Sequence, residues 1–190
     1  TGLGGSSAVV LSVLGALNYF RNEKQLDKYQ LADLAYQVER IDLNMYGGWQ
    51  DQYASVFGGF NWILFREKDI LVTPIRISSG ILLELEYNLM LFRIGKQRSS
   101  SKIQKKHIVS INNDKFELEL LNKMKDQAIK IKETLLKGQL KKFGDLLHES
   151  WVLKKSINKN VTNAYIEDCY NIAMKNGALG GKLLGAGGGG

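Results

Sequence analysis

A glycine-rich stretch with two hydroxyl groups opens the sequence and leads into an apolar segment at residues 9–20. It consists of Gly2, Leu3, Gly4, Gly5, Ser6, Ser7 and Ala8. A helix that starts after such a loop directs unpaired N–H groups and its positive dipole end at the loop, which suits a phosphate. The alternative is a plain loop that only caps the helix. Neither the Walker spacing, which needs a lysine, nor the dinucleotide fingerprint, which needs glycine where Ser7 stands, fits this stretch.

Two carboxylates further along the chain could work beside such a loop. Asp51 lies in a predicted glycine-containing loop over residues 44–52, where a general base would need to be positioned near a substrate hydroxyl. The plain alternative for Asp51 is an Asx-turn, and Glu39 by itself is typical of a surface position at a helix end. Carboxylate and serine oxygens are, however, the hard ligands that Mg²⁺ prefers beside nucleotide phosphates.

The remaining chemistry of the sequence is restricted. A second glycine run stands at residues 185–190. His107 and His148 are widely separated, and no Cys/His cluster with zinc spacing is present. The serines Ser6 and Ser7 lack the Gly-x-Ser-x-Gly setting of a hydrolase nucleophile.

Composition sets the class of protein. The chain has 190 residues, 44% of them hydrophobic, which is enough for one or two folded domains with a core. No apolar run approaches the roughly 20 residues of a membrane helix and no signal peptide is visible, so we expect no membrane partner and a cytoplasmic location. The net charge of +7 suits an anionic partner. The lysines recur at helical spacing without interleaved aromatics, which favours a solvated helix face over nucleic-acid binding.

The hydrophobic pattern predicts the elements that position these residues. Residues 9–20 are predicted to form a helix buried on nearly all sides, and Asp27 to cap a second helix over residues 29–40, with Glu39 in its last turn. Strands are predicted over 60–65, 70–77 and 82–94, with Pro74 placing the second at a sheet edge. Helices over 114–137, 139–147 and 162–176 follow, and then a short strand over 182–184. The class is α+β, with a domain boundary near Ile77.

The order of these motifs resembles the GHMP kinase superfamily. Residues 2–8 match its second motif, of the type Gly-Leu-Gly-Ser-Ser-Ala, and residues 185–190 match its third, Gly-Ala-Gly-x-Gly-Gly. The resemblance is closest to the sugar-1-kinases typified by D-glycero-D-manno-heptose 7-phosphate kinase. It is carried by Ala35-Tyr36-Gln37-Val38-Glu39-Arg40, Gly47-Gly48-Trp49-Gln50-Asp51-Gln52-Tyr53-Ala54, Phe57-Gly58-Gly59-Phe60-Asn61, and His148-Glu149-Ser150-Trp151 with Lys154-Lys155.

The resemblance implies roles for individual residues. Those implied to bind ATP are Gly2, Leu3, Gly4, Gly5, Ser6, Ser7, Ala8, Gly185, Ala186, Gly187 and Gly188. Ser6 and Glu39 are implied as Mg²⁺ ligands. Ser7 is the alternative to Ser6, because Gly5 stands where the family more often has serine. Asp51 is implied as the catalytic base, which accepts the proton of the sugar's anomeric hydroxyl as that oxygen attacks the γ-phosphate.

The resemblance also implies an architecture and partners. It implies a left-handed β-α-β nucleotide-binding domain, of which residues 1–77 are the remainder, and an incomplete ferredoxin-like C-terminal domain over residues 78–190. We expect the chain to be truncated at both ends, and its partners to be ATP and a sugar phosphate, with a possible homodimer. The alternatives are a fucokinase- or galactokinase-like enzyme and a non-catalytic nucleotide or sugar sensor. Arg93 and Arg98 are either sugar-phosphate contacts or surface residues, and Trp49 and Tyr53 either contact substrate or brace their loop.

Overall fold

The computed structural model describes residues 3–21, 25–67, 69–94 and 115–185. The chain divides after Ile75 into two compact units. The first contains α1 (Gly5–Phe20), α2 (Lys28–Tyr36), a π-helical turn (Gln37–Asp42), α3 (Gln50–Phe57), β1 (Asn61–Phe65) and β2 (Ile70–Pro74). The second contains α4 (Ser79–Asn88), α5 (Lys115–Leu136), α6 (Leu140–Ile157), a 3-10 turn (Lys159–Val161) and α7 (Ala164–Lys175).

Three helices and a hairpin build the first unit. Helices α1, α2 and α3 contact one another, and β1 pairs antiparallel with β2, with Asn61 opposite Pro74 and Phe65 opposite Ile70. Asp27 caps α2 through a capping box with Gln30, as predicted. The core forms around Ala32, Tyr53 and Val72, where small and aromatic side chains from α2, α3 and β2 meet. This core fixes α2 against α3, the two helices that flank the π-helical turn and the loop after it.

The second unit is helical in its described part. The three-residue connection over residues 137–139 contains Gly138 at φ 65°, a left-handed conformation that glycine adopts without strain. It joins α5 to α6, which pack on each other. A second core forms around Trp151, Val161 and Ile166. No helix in the described ranges is both long and apolar enough to cross a membrane.

The prediction of a strand over residues 82–94 is wrong. Residues 79–88 form α4, with the Ser78 side chain accepting a hydrogen bond from the N–H of Ile81 as the N-cap. The alternation of leucine and glutamate in this stretch suggested a strand, but both are strong helix formers. Only Leu85 of α4 is buried, while Leu83 is 66% and Tyr87 88% exposed, so the alternating face has no core to cover.

Three further expectations need correction. Helix α1 begins at Gly5 rather than at residue 9, and only Ser7 and Leu11 of it are buried, because α2 and α3 cover one of its faces. Strand β2 ends at Pro74 rather than at residue 77, and one further hydrogen bond follows it, from the N–H of Ile75 to the carbonyl of Phe60. Residues 182–184 form no strand, because no neighbouring strand lies beside them among the described residues. The helices predicted over 114–137, 139–147 and 162–176 are present as α5, α6 and α7, with α6 extending to Ile157.

Candidate functional site

The first turn of α1 is the part of the opening loop that the structure describes most fully. Gly4 is the N-cap at φ 68°, and no side chain caps the helix. The first intrahelical bond runs from the N–H of Ala8 to the carbonyl of Gly4, which leaves the N–H groups of Gly5, Ser6 and Ser7 without a partner within the helix. Leu3, Gly5, Ser6 and Ala8 are exposed. The helix therefore presents free N–H donors and its positive dipole end to solvent.

Ser7 is the residue of this turn that points inward. It is fully buried, and its hydroxyl donates a hydrogen bond of 2.6 Å to Oε2 of Glu39. Ser6, one position earlier, is exposed. Adjacent helical positions differ by about 100° in direction, so only one of two successive serines can face a given partner. The structure brings Ser7, and not Ser6, to the carboxylate of Glu39.

Glu39 reaches this position from the π-helical turn. There the N–H of Leu43 bonds the carbonyl of Val38, a five-residue step that replaces the usual four-residue step of an α-helix. Glu39 is fully buried, and Oε2 also accepts a hydrogen bond of 2.5 Å from Nε2 of Gln52. Its second oxygen, Oε1, is buried without a hydrogen-bond partner among the described residues. An unpaired buried carboxylate oxygen is costly, so this atom is suited to a bound cation.

Asp51 lies in the first turn of α3 instead of in the predicted loop, because α3 begins at Gln50. Its side chain is exposed and lies beside Gly4: a methyl group built on Gly4 would be 3.8 Å from Oδ1 of Asp51. Its carboxylate makes no hydrogen bond or ion pair with any residue that the structure describes. Gln52, the next residue, is buried and directs its amide to Glu39. One turn of α3 thus supplies an open carboxylate and a buried amide.

Aromatic packing braces the segment that carries Asp51. Trp49 stacks on Tyr36 with ring centroids 3.4 Å apart, and the hydroxyl of Tyr53 donates to Oδ1 of Asp33 at 2.6 Å. Burial, followed by the contact with Asp33, raises the pKa of Tyr53 well above its ordinary value, so this hydroxyl stays protonated. Trp49 and Tyr53 therefore pack within the first unit.

The other predicted residues lie elsewhere. Gly185 belongs to the second unit and adopts φ 64°, and Arg93 lies exposed beyond α4. The residues Gly2, Ala186, Gly187, Gly188 and Arg98 lie outside the described part of the chain. Gln52 had no role in the sequence interpretation, and its only signal was its place beside Asp51. The described residues contain no group of three or more His, Cys, Asp and Glu side chains that could hold a metal.

Comparison with known proteins identifies the family of the chain. The chain matches the GHMP kinases N terminal domain over residues 1–59 and the GHMP kinases C terminal domain over residues 131–190. The chain belongs to the GHMP kinase family. Both the predicted resemblance and the α+β class are therefore confirmed. The glycine-rich loop, Glu39 and Asp51 lie within the matched N-terminal domain, and the late glycine run lies within the C-terminal one.

Individual relatives give finer detail. The chain is 40% identical over 191 residues to a D-glycero-alpha-D-manno-heptose 7-phosphate kinase of Campylobacter jejuni, covering 100% of this chain and 56% of that protein. It is 31% identical over 195 residues to an L-fucokinase/L-fucose-1-P guanylyltransferase of Bacteroides fragilis, covering 100% of this chain and 20% of that one.

A solved structure of a D-glycero-D-manno-heptose 1-phosphate kinase from Bacteroides thetaiotaomicron superposes with a TM-score of 0.74 at 34% identity. That superposition covers 98% of this chain and 51% of the other. A mevalonate kinase of L. major, at 22% identity and a TM-score of 0.69, shares the fold. The chain thus spans about half the length of the heptose kinases it matches.

Proposed function

We propose that the protein containing this chain transfers the γ-phosphate of ATP to the anomeric hydroxyl of a heptose 7-phosphate or a closely related sugar. The observation that carries the proposal is the buried carboxylate of Glu39, which holds the hydroxyl of Ser7 on one oxygen and has its other oxygen unpaired. A carboxylate and a hydroxyl beside open helix N–H groups form a donor set for a nucleotide with its metal ion. A helix cap alone would need no buried carboxylate.

The first turn of α1 would hold the nucleotide phosphates. The N–H groups of Gly5 and Ser6 have no partner within the helix and lie at the positive end of its dipole, where anions are stabilised. The absence of a Cβ at Gly4 and Gly5 lets a phosphate approach the backbone closely. Ser6 can add its exposed hydroxyl as a donor. The resemblance also implies nucleotide binding for the late glycine run at residues 185–190.

Glu39 and Ser7 fit a magnesium ion. Oε1 of Glu39 is a buried carboxyl oxygen without a protein partner in the described ranges, and the hydroxyl of Ser7 lies next to the same group. We assign Glu39 and Ser7 as its protein ligands, with the remaining positions left to phosphate oxygens and water, as Mg²⁺ prefers. When bound, the ion neutralises charge on the phosphates. Gln52 holds Glu39 in place through its amide.

Asp51 would act as the base. Its open carboxylate beside Gly4 can accept the proton of the sugar hydroxyl as that oxygen forms its bond to the γ-phosphorus and the bond to the β-phosphate oxygen breaks. The products are a sugar 1-phosphate, ADP and a proton passed from Asp51 to water. Little else is needed from side chains, since phosphoryl transfer depends mainly on positioning and charge neutralisation.

The substrate class is supported by the two heptose phosphate kinases among the relatives, and a fucokinase is the second candidate because that relative is 31% identical over the whole chain. The test is ADP release by the intact protein over a sugar panel: D-glycero-D-manno-heptose with and without a 7-phosphate, L-fucose and galactose. We expect the 7-phosphate to raise kcat/KM about a hundredfold or more. Preference for L-fucose would favour the second candidate. ATP binding without transfer to any sugar would indicate a sensor and contradict the proposal.

A further inference from the structure

Gln52 has an amide oxygen, Oε1, that is buried without a hydrogen-bond partner among the residues that the structure describes. The whole side chain is buried, and its Nε2 donates to Oε2 of Glu39 at 2.5 Å. One half of the amide is therefore engaged and the other half is not. A buried acceptor without a donor is costly, so this oxygen is suited to a bound group.

The carboxyl group of Glu39 shows the same asymmetry. Its Oε2 accepts two hydrogen bonds, from the hydroxyl of Ser7 and from the amide of Gln52, whereas its Oε1 accepts none from any described residue. Each unpaired oxygen shares a carbon atom with an atom of the Glu39–Gln52 hydrogen bond, so both belong to one buried network. The hydroxyl proton of Ser7 is already donated. The open positions of the network are thus two acceptors.

A hydrated cation is the group that satisfies two such oxygens together. The ion bonds a carboxyl oxygen directly, and the water molecules that it carries donate hydrogen bonds to acceptors nearby. Mg²⁺ dehydrates reluctantly and keeps several of its waters in protein sites. Protein groups that bond the ligands of a metal orient those ligands and strengthen binding. A phosphate oxygen, which is itself an acceptor, could satisfy neither Oε1 of Glu39 nor Oε1 of Gln52.

We propose that Oε1 of Gln52 accepts a hydrogen bond from a water molecule on the magnesium ion at Glu39, so that Gln52 positions the hydrated ion as well as the carboxyl group. Its nitrogen orients Glu39, and its oxygen orients the water. This proposal rests on the proposed function, since it takes the ion at Glu39 as given. It adds that the folded protein binds hydrated Mg²⁺ without a nucleotide. A Gln52 that only held Glu39 would need its nitrogen alone.

Two substitutions separate the oxygen of this amide from its nitrogen. Gln52→Met keeps an unbranched side chain of similar length and removes both polar atoms. Gln52→Glu keeps an oxygen acceptor and removes the N–H donor. The matched control is Gln50→Met, which makes the same change at an exposed position in the first turn of α3.

The measurement is urea denaturation of the intact protein without nucleotide, in MgCl₂ and in NaCl of equal ionic strength. An ion that binds only the folded state raises the free energy of unfolding with its concentration, and this dependence gives its Kd. We expect MgCl₂ to stabilise the wild type and Q50M with the same Kd. The Kd should rise about tenfold or more in Q52M, and in Q52E it should stay within about threefold of the wild type or fall below it. A cooperative transition in NaCl shows that each variant is folded.

Three results would overturn the proposal. No stabilisation of the wild type by MgCl₂ would mean that something other than a cation satisfies the two oxygens, such as a proton on Glu39. An unchanged Kd in Q52M would remove Gln52 from the ion. An equal rise of Kd in Q52M and Q52E would mean that only the nitrogen of Gln52 matters.

The Q52E variant decides the question even if Q52M does not fold. A Kd near that of the wild type supports the contact with the oxygen, and a Kd raised about tenfold contradicts it. The proposed function fails separately. If Mg²⁺ binds as expected and the wild-type protein transfers phosphate to no sugar, the kinase activity is excluded and the role of Gln52 stands.

Discussion

The hydroxyl of Ser7 lies 2.6 Å from Oε2 of Glu39, although 32 positions separate them. Both residues are fully buried, so one hydrogen bond joins the first turn of α1 to the π-helical turn in a place that water does not reach. Buried hydrogen bonds to a carboxylate are stronger than surface ones and are costly to leave half-made. This contact determines which hydroxyl of the opening loop lies beside the carboxylate of Glu39.

Replacing Ser6 and Ser7 one at a time compares the two adjacent hydroxyls as proposed magnesium ligands. We expect Ser7→Ala to raise the Mg²⁺ concentration for half-maximal activity about tenfold or more, because it removes the proposed ligand and the hydrogen-bond partner of Glu39. Ser6→Ala should change the same value by about threefold or less, since its exposed hydroxyl does not reach Glu39. Magnesium titrations of activity for both variants check this. A larger effect of S6A than of S7A would return the ligand role to Ser6.

Glu39→Gln tests the carboxylate itself with almost no change in shape. The amide keeps a hydrogen-bonding oxygen for Ser7 but removes the charge, so we expect Mg²⁺ affinity to fall about tenfold to a hundredfold. The matched control is Glu86→Gln, at an exposed position on α4. Calorimetry of Mg²⁺–nucleotide binding measures the change. Equal metal affinity in E39Q and the wild type would remove Glu39 from the site.

The substitution Asp51→Asn distinguishes an effect on the phosphoryl-transfer step from an effect on ATP binding. The open carboxylate beside Gly4 has no described partner whose loss would disturb folding, so the melting temperature should stay near that of the wild type. We expect kcat to fall by roughly two to four orders of magnitude, as for loss of a general base, and Kd for ATP to change by about threefold or less. Asp126→Asn, at an exposed position on α5, is the control. Turnover in D51N within tenfold of the wild type would exclude Asp51 as the base.

The secondary structure around this site could be predicted from the sequence better than the directions of its side chains. The capping of α2 by Asp27 and the strand β1 follow from local chemistry and were correctly predicted. The inward direction of Ser7 depends on where α1 begins, and a glycine-rich loop does not specify that position. The orientation of Glu39 depends on the π-helical turn, which has no clear sequence signature.

Other features depend on contacts between distant residues. Gln52 is a site residue only because α3 begins at Gln50 and turns that amide towards Glu39. The short strand predicted over residues 182–184 is absent, because a strand needs a neighbouring strand to pair with and none lies beside these residues in the described part of the chain. The helix α4 was missed since its leucines and glutamates alternate by chance at a period of two.

Two adjacent glycines test the packing of residues 179–185 on α6. A methyl group on Gly180 would lie 2.1 Å from the carbonyl oxygen of Gly144, whereas one on Gly181 would meet its nearest atom, on Tyr170, at 3.7 Å. Backbone cannot yield to the first contact, so we expect Gly180→Ala to lower the free energy of unfolding by about 2 kcal/mol and to quicken exchange over residues 179–185. Gly181→Ala should cost about 0.5 kcal/mol or less. Urea denaturation and hydrogen exchange measure both, and equal effects of the two variants would contradict the observed packing.

The lowered pKa of Lys154 predicts how stability depends on pH. In the folded protein this pKa is about 8, against 10.5 for an unhindered lysine. Between these values the unfolded chain binds the proton that the folded chain has released, so stability rises with pH in this window and is flat below it. From about pH 7.5 to 9.5 we expect Lys154 to contribute about 1 kcal/mol of this rise, allowing for its partial exposure.

The measurement is urea denaturation over that range of the wild type, of Lys154→Met (K154M) and of Lys142→Met (K142M), which removes an exposed lysine of the same helix. K142M should keep the full rise, and K154M should lose most of it. Part of the rise should remain, because burial also lowers the pKa of Lys182. The raised pKa of Tyr170 gives the opposite slope, but only above about pH 10, where its phenol would ionise in the unfolded chain. If stability rises equally with pH in K154M and K142M, then Lys154 is not desolvated where it contacts Leu183 and Gly185.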